Sequence, residues 1–131
     1  MMEPQQALFT AVRGKLLESY PDSVYDGQLP GEDTPYPFIY LGEFDQNDRE
    51  TKSVILGNIP VTIHVWHSDF TKRGTVSAML AAVKSVLRSA TCADYSFMVR
   101  SVVSRIIPDN TTSTPLMHGI VEAVVYFSPK H

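Results

Sequence analysis

The amino-acid sequence predicts an α+β domain, with a mainly antiparallel sheet of about four to five strands and two helices packed on one face. Three observations predict it. Apolar residues recur at helical spacing in two separate stretches, several other stretches alternate with period two, and the order is helix, strands, helix, strands. Length and composition fit a single domain over residues 1–131, because 44% hydrophobic and 19% charged residues support one core.

The first helix is carried by Leu8, Val12, Leu16 and Tyr20, with Phe9 and Leu17 widening the stripe and Arg13, Lys15 and Glu18 outside it. Pro21 stops it. Residues 26–37 hold Gly27, Pro30, Gly31, Pro35 and Pro37, which remove backbone donors and permit tight turns, so a loop is expected there. Residues 38–44 read as a strand. Residues 43–52 concentrate charge and are expected to form an exposed, mobile hairpin loop. A short apolar return over residues 53–56 follows, and Gly57-Asn58 supplies turn chemistry.

Ile59, Val61, Ile63 and Val65 then alternate strictly with Pro60, Thr62, His64 and Trp66, the clearest strand in the chain. Val76, Met79, Leu80, Val83 and Leu87 trace the second helix after a polar link. Residues 95–107 and the apolar run to Phe127, joined by the turn cluster at 109–115, predict a long β-hairpin. In its second strand Met117, Gly119, Val121, Ala123, Val125 and Phe127 share the core face, and His118, Glu122 and Tyr126 share the wetter one.

A formal net charge of -3 and a pI near 5.7 lack the basic excess that gripping a phosphate backbone requires. Residues 1–6 show no signal-peptide pattern, and no apolar run approaches the roughly 20 residues of a membrane span, so no membrane partner is expected. Cys92 is the single cysteine, which leaves no partner for an intrachain disulfide and fits a reducing compartment.

Signatures of chemistry are sparse. His64 and His67 sit three apart on a strand and so point to opposite faces, which argues against a shared metal even with Asp69 nearby. No Gly-x-Ser-x-Gly elbow exposes a serine. Lys72-Arg73-Gly74 lacks the glycine spacing of a phosphate loop, and those two cations read instead as a helix start or a contact to a partner's carboxylates. Cys92 reads as a structural thiol between helix and strand. No catalytic, cofactor-binding or metal-binding residue is assigned. The candidates are interface residues: Asp45, Asp48, Arg49 and Lys52 in the charged segment, Trp66 on the non-core phase of the best strand, and Lys72 and Arg73. Trp66 is expected to be covered within the monomer, with an intersubunit contact as the other outcome.

The order of features carries a resemblance: a helix, then Val24-Tyr25-Asp26, then Pro35-Tyr36-Pro37-Phe38-Ile39-Tyr40-Leu41-Gly42, then Ile63-His64-Val65-Trp66, then Gly74 opening the second helix. This resembles the phage tail-completion family of small head-to-tail joining and tail-terminator proteins. The resemblance implies a non-enzymatic virion subunit without cofactors that caps the tail tube and joins it to the head connector. It further implies a homo-oligomeric ring, a hexamer by family, through which DNA passes without specific binding. The implied partners are the tail-tube and head-connector proteins, and the implied location is the virion tail, reached from the bacterial host cytoplasm during assembly. Two other readings stand beside it: a generic α+β binding module presenting Trp66 and His64 on an open sheet face, and a metal-dependent hydrolase using His64, His67 or Asp69.

Overall fold

The computed structural model describes residues 2–51, 55–111 and 113–130. The first helix, α1, spans Pro4–Ser19. Pro4 fits its first turn, where a missing N–H costs no intrahelical bond. Ala7, Leu8, Val12 and Leu16 are buried at helical spacing, and the Tyr20 amide closes the last turn on the Leu16 carbonyl at 2.8 Å before Pro21 ends it.

A short strand missed in the sequence, β1 (Val24–Asp26), runs parallel to β2 (Phe38–Phe44). Three residues are too few to show a period. The intervening segment is the expected loop: it turns at Gly27, whose φ of 73° suits a residue without a Cβ, and the Tyr40 hydroxyl donates to the Gly27 carbonyl.

Residues 43–52 differ from the expectation of a loop. They hold β3 (Asn47–Glu50), paired antiparallel with the start of β4 (Ile55–His67). All four β3 residues are exposed, so no apolar alternation announced the strand. Gly57-Asn58 is likewise not a turn but lies inside β4, where Gly57 pairs with Asp48 on one side and Phe127 on the other. A Cβ on Gly57 would stand 1.9 Å from the Asn47 carbonyl oxygen. The glycine is there so that β3 can come close.

β2 and β3 lie end to end along one edge of β4, and β6 (Leu116–Pro129) runs along the other. The expected long hairpin forms from β5 (Tyr95–Asp109) and β6, in register from Tyr95↔Pro129 to Asp109↔Leu116, with a bulge at Arg100. The strand order is β1-β2-β4-β6-β5, with β3 beside β4. The sheet therefore has six strands, mostly antiparallel, and the excess over the expected count is β1 and β3.

Asp69 opens a single 3-10 turn, Phe70–Lys72, by accepting from the Thr71 amide, and α2 (Arg73–Ser89) follows. Its stripe of Val76, Met79, Leu80, Val83 and Leu87 is buried. Gly119 on β6 lets this helix lie close, since a Cβ there would sit 2.8 Å from Val76 and 3.1 Å from Leu80. The two helices touch each other and share one core with Ile59, Val61, Ile63 and Val65 of β4 and Val121 and Val125 of β6. Each such aliphatic side chain withdrawn from water contributes roughly 1.5–3 kcal/mol. Both helices cover the same face of the sheet, and the other face is left open.

Candidate interaction surface

Strand alternation decides what the open face displays. Register places Trp66 beside Phe38 and His118, His64 beside Tyr40 and Ile120, and Thr62 beside Glu122. Beyond β6, Ile107 neighbours His118, Arg105 neighbours Ile120, and Val103 neighbours Glu122. Gly42 leaves room for the His64 ring, which a Cβ there would meet at 3.2 Å.

The rings at one end of this face are stacked. Trp66 and His118 lie 3.7 Å apart between centroids and within 7° of parallel, and His118 and His64 lie 5.0 Å apart at 22°. His64 Nδ1 and His118 Nε2 are 2.8 Å apart, a hydrogen bond that needs one nitrogen protonated and the other bare. Burial lowers the pKa of both rings. His118 falls to about 4, first by burial and then because a charge on His64 would oppose its own. The pair is neutral near pH 7, which favours apolar contact over ionic binding.

Further along, Arg105 donates to Glu122 at 3.0 Å, with Val103 the register partner of Glu122. Val103 is 56% exposed and Met98 55%, and Ile107 and Tyr126 are also exposed. β5 has no strand on its outer side among the described residues.

The residues singled out in the sequence fall at two ends of the molecule. Trp66 belongs to the ring stack, half-covered by His118 from within the chain. Lys72 and Arg73 are exposed at the same end, at the entry to α2. Asp45, Asp48 and Arg49 lie at the other end of β4, all exposed. There Asp45 donates its amide to the Pro60 carbonyl at 3.1 Å, and Gln46 donates to Asp48 at 2.6 Å while accepting the Gln5 amide at 2.9 Å. Lys52 lies outside the described residues. From Gly57 to Trp66 the separation is about 30 Å at roughly 3.3 Å per strand residue.

His64 and His67 do not converge. His64 bonds His118, and His67 Nδ1 accepts the Asp69 amide at 3.3 Å. Among the described residues no group of three or more His, Cys, Asp or Glu side chains is placed to hold a metal, and no helix is long and apolar enough to cross a membrane. Sequence reasoning missed His118 as the partner of Trp66, and Met98, Val103 and Ile107 as surface. The period-two pattern of β6 puts His118 on the wetter face, but only the strand register brings it to Trp66.

The open face thus presents stacked rings, exposed apolar side chains and an ion pair. Residues 6–125 match the family described as tail completion protein gp17. The chain belongs to this family. It is 30% identical over 102 residues to the tail completion protein gp17 of Bacillus phage SPP1, covering 72% of this chain and 70% of that protein. The solved structure of bacteriophage SPP1 gp17 superposes with a TM-score of 0.61 at 26% identity, covering 92% of this chain and 88% of the other. A chain in the virion of a native gene transfer agent particle shares the fold, with a TM-score of 0.50 at 16% identity over 96% of this chain and 93% of its own. As a tail completion protein the chain is a structural phage tail component and not an enzyme, which removes the metal-dependent hydrolase reading.

Proposed function

We propose that this protein completes the tail tube at the end nearest the head, acting as one domain over residues 1–131 and as a ring of identical copies that also meets the head connector. Family membership across residues 6–125 carries the reading. The open sheet face supports it, because exposed Ile107 beside the neutral ring stack, and Val103 and Met98 further along β5, suit burial against another protein. The net charge of -3 suits a channel subunit, since a duplex that must slide through should not be held by many cations. In this reading DNA passes without specific binding, the ring is a hexamer as the family resemblance implies, and the free subunit waits in the host cytoplasm before joining the virion.

Static light scattering across a concentration series, with and without the tail-tube protein of the same phage, tests this directly, with negative-stain imaging of tube ends. Closed rings, alone or on tube ends, are expected. Association needing the tube as template is compatible, because assembly follows mass action on whichever surface stabilises it. Monomers that ignore tube ends at every concentration would overturn the proposal in favour of a monomeric binding module.

A further inference from the structure

A ring larger than a dimer needs two different complementary surfaces on each subunit, far enough apart that a neighbour's patch reaches one while the other stays free. This chain carries such a pair at the two ends of β4.

At the Trp66 end, a cleft lies between the end of α1, the segment leading into β2, and the first turns of α2. Tyr20, Pro35, Tyr36, Pro37, Ala78 and Met79 give it an apolar lining. Tyr36, and Phe70 two residues before Lys72, are exposed. Lys72 and Arg73 stand at the entry to α2, exposed and outside all three ion pairs among the described residues. α2 itself has no side-chain cap and no acidic residue in its first turn, and the 3-10 turn that leads into it is capped by Asp69. Asp69, the nearest acid in sequence, is taken up by the Thr71 amide and hydroxyl at 2.9 and 2.7 Å.

At the far end, β3 presents the opposite character. Asp48 and Glu50 are two apart on a strand and share a face, and Arg49 points the other way. Ile55, the register partner of Glu50, is 48% exposed beside them. Among the described residues neither carboxylate is in an ion pair, although Gln46 donates to Asp48. Phe9 against Phe44, and the Gln5 amide on Gln46, brace this corner against α1.

We propose that successive copies dock end to end, with the acidic β3 edge and Ile55 of one copy seated in the apolar cleft and against Lys72 and Arg73 of the next. The pairing rests on the ring reading above. Charge complementarity selects a second copy as the occupant, because the face of β3 that carries Asp48 and Glu50 is opposite in charge to Lys72 and Arg73. The contact is heterologous, which is the kind that closes rings rather than dimers.

The test is a charge swap read on tube ends by negative stain. Lys72→Glu with Arg73→Glu, and separately Asp48→Lys with Glu50→Lys, should each cut ring-capped ends by about tenfold or more, as like charges then face each other. An equimolar mixture of the two variants should recover capping, because a ring that alternates them makes every contact complementary, and the four changes combined in one chain should also restore it. Ala78→Phe, which fills the cleft without touching charge, should also abolish capping while the melting temperature holds. If the wild type caps tubes and these variants cap equally well, the end-to-end pairing is wrong and the ring stands on other surfaces. If the wild type forms no ring under any condition, both the pairing and the proposed function fall.

Discussion

The two faces of the sheet share the same strands and obey different rules. On the helix side Ile59, Ile63 and Val65 have no exposed surface, and their neighbours across β6 and the helices fix their positions by close packing. On the open side Pro60, Thr62, His64 and Trp66, the alternate residues of that strand, are all partly exposed. The covered face determines whether the chain folds. The open face can vary without unfolding it, which leaves it free to specialise for contact.

The largest effect that would sharpen this contrast is Ile63→Ala, which opens a cavity under both helices and should cost about 3–4 kcal/mol by urea unfolding. A loss near zero would mean that the helices are not packed as described. Next, Gly57→Ala drives a methyl group into the Asn47 carbonyl and should cost about 2 kcal/mol. Hydrogen exchange should show the amides of β3 losing protection while those of β6 keep theirs.

A smaller effect comes from the ring stack. The folded protein holds His118 at about 4, below the 6.5 of an exposed ring, so as pH falls the unfolded chain takes up the proton first. Stability should be complete above pH 6.5 and drain away down to pH 4. The loss should be about 1–2 kcal/mol once solvent screening of a half-buried ring is allowed for. Glu43 and Glu122 act on His64, and His64, Asp109 and Arg105 act on His118. His118→Phe keeps the stack on Trp66 and should flatten that pH dependence; an unchanged slope would assign it elsewhere. The smallest effect is expected from Val103→Ser on the open face, about 0.5 kcal/mol or less. A loss comparable to that of Ile63→Ala would erase the distinction between the faces.

The covered face was legible in the sequence because burial on one side imprints a period. Leu8, Val12 and Leu16, the four alternating residues from Ile59 to Val65, and the stripe from Val76 to Leu87 all lie where their spacing put them. What escaped was structure without a one-sided apolar imprint. β1 is too short to repeat, and β3 is polar throughout. Gly57-Asn58 has the composition of a turn, yet its glycine serves the close approach of a neighbouring strand, a tertiary cause that local chemistry does not encode. The charged interface candidates were visible as exposed charge, but their placement at opposite ends of one strand was not. Trp66 shows the same limit: its place off the core face was readable, whereas its partner depended on register with a strand more than fifty residues away.

The bulge at Arg100 changes what the outer edge of the sheet offers to another strand. β5 is a long edge, and a flat edge of that length invites two copies to zip together along their backbones. The extra residue breaks the ladder between Val99 and Ser101, and Arg100, whose guanidinium lies 5.6 Å over the Tyr126 ring, puts a cation at the break. Near the far end Pro108 offers no amide hydrogen. An incoming strand meets two interrupted runs instead of one continuous template, so the backbone itself hinders edge-to-edge pairing of two copies.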